Sequence, residues 1–446
     1  MRNEPYQTEF AGWGRYPVVT GIALKSENLA QITETASLSR GLGRSYGDSS
    51  LPAAADLPVA ETTLADRLLA FDPESGMLTV EAGVSLRQLN RVFMRRGWFV
   101  PVSPGTQFVT AGGMVASDVH GKNHHVDGCF GDYVRSLKLR VADGRILTCS
   151  DDQEPELFKA TIGGMGLTGH ILEVEFPMRR IPSPWIWQES QRMANLDAMI
   201  AGLKSAAEAW PMTVGWMDCL AKGPSLGRGI LIRGRWAEPE EASNQAPRFK
   251  RPIRVPFPFP GWVLSRVSMN AFNMVYYAKH FQEVAKRIVH PDSFFYPLDM
   301  LGAWNLIYGK RGFTQYQCVL PHADDNGPAR RFLDLFTSAG GMSFLCVIKD
   351  CGAEGKGMLS FPRPGISIAM DFPVHPEKTQ TLVDRLNELV IAEGGRIYLA
   401  KDAFTQPDHF QTMEPRLELW NAVRRKWDLQ GKLRSAQSVR LLGDAE

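Results

Sequence analysis

The sequence lacks the features that mark membrane-spanning, secreted or nucleic-acid-binding proteins. No run of eighteen or more apolar residues occurs, and the stretch from Met1 to Phe10 has no apolar signal-peptide core. The formal net charge of +2 gives no large electrostatic field, so no nucleic-acid partner is expected. We therefore expect a soluble cytoplasmic protein, or one held peripherally at a membrane.

Cysteine is scarce, and its spacing fits neither a zinc site nor a disulfide framework. No C-x-x-C pair occurs, so a reducing compartment is expected. The six cysteines are Cys129, Cys149, Cys219, Cys318, Cys346 and Cys351. His120, His124 and His125 invite a metal interpretation, but no carboxylate stands at helical ligand spacing and a glycine interrupts the run. We expect no metal.

The remaining composition is that of a globular chain. Apolar residues make up 44% and charged residues 22% of the 446 residues, enough for two or three domain-sized cores. The segment Leu69–Glu81 predicts two short strands around a turn. Ser85 and Gln88 have capping-box spacing, which predicts a helix from Ser85 to about Arg96. With a second hairpin at Asp143–Gly144, the pattern indicates an α+β fold.

The chain changes character near Ile181–Pro184, where aromatic residues and long strand-like runs become more frequent. We place a domain boundary there. From Arg396 to Lys401 the pattern suggests a return to the first domain, followed by a helical tail from about Asp408 to Trp427. The predicted ranges are 1–183, 184–395 and 396–446.

Two glycine-rich stretches, Arg40–Asp48 and Gly163–Gly169, are the most informative feature. Glycine allows backbone N–H groups to approach an anion and tolerates positive φ, so two such stretches indicate one long polyphosphate ligand, such as a dinucleotide. The spacing is G-x-G-x-x-x-G and no amphipathic helix follows, so the Rossmann context is missing. Small and polar residues from Thr110 to His125 fit backbone wrapped around a flat cofactor.

Seven motifs together resemble one family. They are Arg40–Asp48, Pro104–Thr106, His120–His125, Gly163–Gly169, Tyr296–Met300, Gln315–Gln317 and Tyr398–Asp402. In this order they resemble the decaprenylphosphoryl-β-D-ribose 2'-oxidase family, of the vanillyl-alcohol-oxidase/p-cresol-methylhydroxylase class of FAD proteins. The resemblance spans nearly the whole chain.

The resemblance implies an FAD domain made from both ends of the chain, with an α+β substrate domain on an antiparallel sheet inserted between them. Members of the class often attach flavin through a histidine in a G-x-G-H-S turn. Arg44 stands at that position here, so non-covalent FAD is expected. The implied cofactor-binding residues are Arg40, Gly41, Leu42, Gly43, Arg44, Ser45, Tyr46, Gly47, Asp48, Gly105, Thr110, Ala111, Gly112, Gly113, Ser117, Asp118, Val119, His120, Ile171, Tyr398 and Lys401.

The resemblance also implies a reaction, the oxidation of the 2'-hydroxyl of a polyprenylphosphoryl-β-D-ribose by hydride transfer to flavin N5. Lys401, Tyr46 and His120 are the implied catalytic residues, and their order stays open because geometry decides before pKa does. The implied substrate-binding residues are Lys122, Trp216, Gln317, Lys349, Ser367 and Ala369. The alternatives are an aldonolactone or other sugar oxidase, and a flavin-binding protein without catalysis.

A lipid-linked pentose implies two kinds of partner. The keto product would pass to a short-chain reductase that completes epimerisation to the arabinose used in cell-wall synthesis. The enzyme would work at a membrane surface, with the cytoplasmic face of the inner membrane favoured and the periplasmic side left open. The proline-rich, apolar segment Pro252–Val263 is our candidate for that contact, with a loop packed on the core as its alternative.

Two residues depart from the mycobacterial pattern. The family's pocket there carries an asparagine and a cysteine in the strand that here contains Ser367 and Ala369. Serine is shorter than asparagine, which leaves the contact to the sugar or phosphate open.

The alanine generates a prediction about inhibitors. Ala369 has no nucleophilic sulfur, so nitroaromatic inhibitors that bond to the mycobacterial cysteine should form no stable adduct with this protein. Mass spectrometry of the intact protein after incubation checks this, and a stable mass increase of one inhibitor would contradict it.

Overall fold

The glycine-rich loop Arg40–Asp48 starts at the last residue of a strand in a small N-terminal sheet. The computed structural model describes residues 4–243, 245, 247–248 and 252–445. The first sheet has the order β1-β2-β4-β3. Its strands are β1 (Tyr6–Ala11), β2 (Val18–Lys25), β3 (Leu38–Arg40) and β4 (Pro58–Glu61). β3 runs parallel to β4 and ends at Arg40, so the loop starts at the carboxyl end of a parallel strand.

A second sheet, antiparallel throughout, has the order β5-β6-β10-β8-β9. Its strands are β5 (Leu68–Phe71), β6 (Met77–Glu81), β8 (Ser136–Arg140), β9 (Ile146–Ser150) and β10 (His170–Pro177), while β7 (Trp98–Phe99) pairs with β11 (Arg179–Arg180). Both predicted hairpins are confirmed, because β5–β6 and β8–β9 flank the predicted turns.

Helices surround these sheets. They are α1 (Leu29–Ile32), α2 (Leu86–Phe93), α3 (Ala111–Ala116), α4 (His124–Asp127), α5 (Pro155–Thr161), α6 (Leu196–Ala209), α7 (Arg266–Lys279), α8 (Pro291–Phe295), α9 (Gly327–Ser338), α10 (Pro376–Ala392), α11 (Pro407–Met413), α12 (Leu417–Trp427) and α13 (Ala436–Leu442). The capping box of α2 is present at Ser85 and Gln88, and Gly97 takes φ of 78° after a final 3-10 turn. Among the described residues, none of these helices is both long and apolar enough to cross a bilayer.

The third and largest sheet has eight strands in the order β16-β12-β14-β13-β19-β20-β18-β21, all antiparallel. They are β12 (Ile186–Met193), β13 (Met212–Met217), β14 (Gly229–Trp236), β16 (Val284–Val289), β18 (Phe313–Leu320), β19 (Cys346–Cys351), β20 (Gly365–Pro373) and β21 (Arg396–Ile397). β15 (Ile253–Arg254) pairs with β17 (Leu301–Gly302). The proline-rich segment Pro252–Val263 contains the short strand β15 and most of a 3-10 turn, Gly261–Leu264.

The central strands of the large sheet bury both faces. On one face Tyr316, Ile368 and Ile348 join an apolar core with α6, α9 and α10. Because side chains alternate along a strand, the residues between them point the other way. That second face carries Gln317 and Asp371, and both are buried. A buried polar face needs partners from another part of the chain.

The C-terminal helices lie against the N-terminal region. The indole of Trp420 on α12 is buried, and its Nε1 donates to the carbonyl oxygen of Ala160 at 2.9 Å. The tail predicted as helical from Asp408 is two helices, α11 and α12, separated by an extended break at Glu414. These contacts support the predicted return of the chain, and the division into three ranges stays a prediction.

Candidate active site

The glycine-rich loop is held by close backbone contacts. A β-carbon built on Gly47 would lie 1.7 Å from the carbonyl oxygen of Asp402, and one built on Gly41 would lie 2.4 Å from Thr110 Oγ1. Only glycine permits these approaches. The loop is thereby fixed against the segment that carries Lys401 and against the start of α3.

The loop offers unused donors. Within the described part of the chain, no group accepts a hydrogen bond from the backbone amides of Leu42, Gly43, Arg44 or Ser45. Successive free amides around a residue with φ of 60°, as at Gly43, form a concavity that binds anions. This arrangement fits the pyrophosphate of the expected FAD.

Several residues from the predicted cofactor set have other partners. The Arg40 guanidinium donates to the Ala11 carbonyl at 2.6 Å and to Ser50, and the Asp48 carboxylate accepts from Arg440. Arg44 lies 3.9 Å from the ring centroid of Trp13, in cation–π geometry. These side chains shape the loop, whereas its backbone amides are left free for an anion.

A second set of residues predicted to bind the cofactor lies in the segments around Gly105, α3 and Tyr398. Together with the glycine-rich loop we call them the cofactor cradle. A β-carbon built on Gly105 would have no atom within 4 Å, so this position borders open space. The side chain of Thr110 caps α3 by accepting from Gly113 N, and Ala111 to Gly113 form its first turn. Tyr398 donates its hydroxyl to the Ser117 carbonyl at 2.8 Å. Val119 and Ile171, on β10, are buried nearby in the same core.

Two buried carboxylates pin this wall, and sequence reasoning missed the role of one. Asp118 accepts from Ser360 Oγ and from Gly131 N. Asp299, within a motif noted above but not predicted as a site residue, accepts from Thr106 Oγ1 and Gln107 N, each at 2.8 Å. Burial raises the pKa of Asp299 to about 6. It fixes the loop that contains Gly105.

The polar face of the large sheet forms the opposite side of the site. Trp216, Val347, Ala369 and Gln317 are paired in one row across four strands. Directly opposed residues in antiparallel strands share a face, so all four side chains point to the same side. Five of the six predicted substrate residues belong to this face. They are Trp216, Gln317, Ala369 and, in the adjoining row, Lys349 with Ser367.

Gln317 connects the sheet to His120. Its Nε2 lies 3.0 Å from His120 Nε2 and 3.3 Å from Ser367 Oγ. Burial, with the charge of Lys349, holds the pKa of His120 well below its usual range, so the ring is neutral at physiological pH. Its Nδ1 is buried without a hydrogen-bond partner among the described residues. The cluster thus has an unused polar atom, as a substrate site requires.

Lys401 and Tyr46 contact each other beside the polar face of the large sheet. Lys401 Nζ lies 3.8 Å from the ring centroid of Tyr46. Burial lowers the pKa of Lys401 to about 7, against the charge of Asp371, which raises it. Burial raises the pKa of Tyr46 well above 10, so its hydroxyl stays protonated. All three predicted catalytic residues therefore lie around one buried polar region.

Asp371 is a second buried carboxylate that sequence reasoning missed. It is fully buried on β20, its Oδ1 accepts from Gln315 Nε2, and its Oδ2 has no partner in the described structure. Burial raises its pKa to about 7, and the charge of Lys401 lowers it. Asp371 lies two and four residues beyond Ala369 and Ser367, so strand periodicity could have placed it on the same face.

The side chain of Lys122 contacts α8. Its Nζ donates to the Phe295 carbonyl oxygen at 3.1 Å and lies 5.6 Å from the Phe294 ring centroid. Burial and the charge of Lys349 lower its pKa to about 7. Its substrate role stays a prediction.

Known proteins match these features. A model of the FAD binding domain matches residues 28–150. The decaprenylphosphoryl-beta-D-ribose oxidase of Mycolicibacterium smegmatis is 34% identical over 451 residues, covering 96% of each chain. A Streptomyces coelicolor protein from the mprA 5' region is 28% identical over 76% of this chain and 95% of its own. The D-arabinono-1,4-lactone oxidase of Yarrowia lipolytica is 29% identical, but over 30% of this chain and 26% of its own.

The pairing of Asp371 with Lys401 generates a prediction. A carboxylate stabilises the nearby ammonium, so Asp371→Asn should lower the pKa of Lys401 below its value in the parent protein. The pKa can be read by NMR on protein labelled with 13C at lysine Cε, with the resonance assigned by its absence in Lys401→Met. Asp408→Asn, an exposed change on α11, serves as control. An unchanged or raised pKa in Asp371→Asn would show that the two groups do not interact.

Proposed function

The chain belongs to the decaprenylphosphoryl-β-D-ribose oxidase family of FAD-dependent oxidoreductases, and on this premise we propose that it oxidises the 2'-hydroxyl of a polyprenylphosphoryl-β-D-ribose. One observation carries the proposal. A buried polar sheet face, a lysine with its pKa near 7 and a loop of free amides converge on one region. Such a site suits removal of a hydride and a proton from a bound alcohol.

FAD, when bound, supplies the hydride acceptor. The free amides of Leu42 to Ser45 would hold its pyrophosphate, and Gly105 leaves room beside it. Arg44 occupies the place of the linking histidine, which supports non-covalent attachment. The cradle residues thus account for binding, and the residues on the sheet face act on the sugar.

We assign the hydroxyl proton to Lys401. With a pKa of about 7, part of the amine is neutral at physiological pH and can accept the proton, whereas Tyr46 holds its own proton and His120 is a weak base. The ammonium formed places a positive charge where hydride transfer adds a negative one. Asp371 stabilises that ammonium.

Tyr46 and His120 orient the sugar in this scheme. The protonated Tyr46 hydroxyl can donate a hydrogen bond, and the unpartnered Nδ1 of His120 offers a second polar contact. Within the described structure Lys349 Nζ forms no hydrogen bond, so its charge suits the phosphate next to the sugar. Ser367, in the same row, replaces the longer mycobacterial asparagine and leaves space for a water or a shifted phosphate.

The chemistry implies the setting of the enzyme. A 2'-keto sugar would need a partner reductase to yield the arabino epimer, and a quinone or another acceptor would reoxidise the flavin. A prenyl substrate resides in a membrane, so the enzyme would act there as a peripheral protein, at the cytoplasmic face of the inner membrane.

The proposal predicts a colour change under anaerobic conditions. Adding a short-chain prenylphosphoryl-β-D-ribofuranose to the yellow holoprotein should bleach the flavin band. Lys401→Met should slow bleaching by roughly 10²–10⁴-fold, because proton removal is lost. Lys378→Met, an exposed change on α10, should bleach at the parent rate. A protein that stays yellow with this compound but bleaches with an aldonolactone would refute the ribose assignment.

A further inference from the structure

Exposed apolar side chains are concentrated in one stretch of the chain. Ten of the nineteen large apolar side chains that are exposed in the described structure lie within the 49 residues from Ile253 to Leu301. They are Ile253, Phe257, Trp262, Val267, Phe272, Met274, Val275, Phe281, Val284 and Leu301. Such a concentration marks an interaction surface, since single exposed apolar residues are ordinary but clusters are not.

Helix α7, within this stretch, carries apolar residues on its outer side as well as on its inner side. Its inner side buries Met269 and a polar residue, Asn273, whose Nδ2 donates to Asp218 Oδ1 at 2.9 Å. Its outer side presents an apolar arc of about 100° on a helical wheel. The exposed residues of this arc are Val267, Ala271, Met274, Val275 and Ala278. Val267 and Val275 are 81% and 67% exposed, so no described residue covers them.

Bare aromatic rings extend this arc at both ends of the helix. Trp262, in the 3-10 turn before α7, is 76% exposed, and Phe281, just after it, is 78% exposed. We call Trp262, Val267, Met274, Val275 and Phe281 the apolar face. Its helical residues Val267, Met274 and Val275 share one arc of the helix, and Trp262 and Phe281 flank them along the chain.

The chain segment that carries the apolar face is basic. From Pro252 to Arg311 the cations are Arg254, Arg266, Lys279, Lys286, Arg287, Lys310 and Arg311. The acidic residues in the same range are Glu283, Asp292 and Asp299, and the last two are buried. Apolar residues inside a basic segment match the two layers of an anionic bilayer, its acyl region and its head groups.

The inner side of α7 leads toward the active site. The ring of Tyr276 lies 4.5 Å from that of Trp216, which shares a row of the large sheet with Gln317. The ring of Phe272 lies 5.5 Å from that of Phe344. From Phe344 the rings of Tyr308 and Phe313 follow at 5.6 and 4.2 Å.

The last ring in this series reaches the catalytic lysine. Phe313 lies 5.3 Å from Tyr46, whose ring is 3.8 Å from Lys401 Nζ. A line of aromatic rings therefore joins the surface at α7 to the candidate catalytic residues. Tyr308, Phe313 and Tyr46 in this line are buried and belong to one packed cluster, so α7 is connected to the site through close ring contacts.

We propose that the apolar face of α7 docks on an anionic lipid bilayer. A bilayer fits better than a protein partner, because protein interfaces carry about one hydrogen bond per 100–200 Å² and the apolar face offers no donors or acceptors of its own side chains apart from the Trp262 indole. The docking itself does not depend on the substrate, whereas its expected effect on activity with a lipid-embedded substrate rests on the proposed function.

Vesicle binding tests the docking. Full-length holoprotein should co-sediment with vesicles of phosphatidylglycerol and phosphatidylcholine, and less with phosphatidylcholine alone. The double variant Val267→Glu/Val275→Glu should bind the mixed vesicles at least tenfold more weakly. Its matched control is Leu419→Glu/Leu429→Glu, which changes two exposed leucines outside the apolar face, 61% and 89% exposed, and should bind like the parent.

Activity separates docking from catalysis. Both double variants should retain FAD and oxidise a short-chain prenylphosphoryl ribose in solution at the parent rate, while only the α7 variant should lose activity on a long-chain substrate in vesicles. Equal vesicle binding by all three proteins would overturn the proposal. So would a dimer in vesicle-free buffer that the α7 variant dissociates, because the face would then bind a second copy. Failure to oxidise any prenylphosphoryl ribose would refute the proposed function and leave the docking result standing.

Discussion

The site depends on one backbone crossing, where Gly47 passes the carbonyl of Asp402 with no room for a side chain. The crossing joins the N-terminal glycine-rich loop to the segment that returns from the large sheet. Arg440, on the last helix, donates hydrogen bonds to Asp48 at 2.8 Å and to Asp402 at 2.9 Å. It therefore holds the two crossing segments together. Tyr46 and Lys401 are the neighbours of Gly47 and Asp402, and the crossing therefore sets their contact.

The same crossing explains why a sheet face can be both polar and buried. Gln315, Gln317 and Asp371 would be unstable against an apolar neighbour, since a buried polar group costs free energy unless it is hydrogen-bonded. His120 supplies a partner to Gln317, and Gln315 donates to Asp371 within the sheet. Burial then gives Lys401 its low pKa and Asp371 its high pKa. The fold thus brings the pKa values of a lysine and an aspartate close to neutrality.

Local features of the fold were predictable from the sequence, and features made by distant residues were not. The capping box of α2 and both hairpins follow from neighbouring residues. The resemblance supplied Lys401, Tyr46, His120 and Gln317. Asp371 and Asp299 were missed because each acts on residues far away in the chain. The outward apolar arc of α7 also escapes the sequence, because a wheel shows that the arc exists but not that it faces outward.

The central claim is that a hydride leaves the 2'-carbon of a ribose bound between the glycine-rich loop and the polar sheet face. Its most direct test is the anaerobic rate of flavin bleaching by a prenylphosphoryl-β-D-ribose carrying deuterium at carbon 2', compared with the unlabelled sugar. The account predicts slower bleaching with deuterium at that carbon and no change with deuterium at carbon 3'. Slowing by the 3' label alone would contradict it.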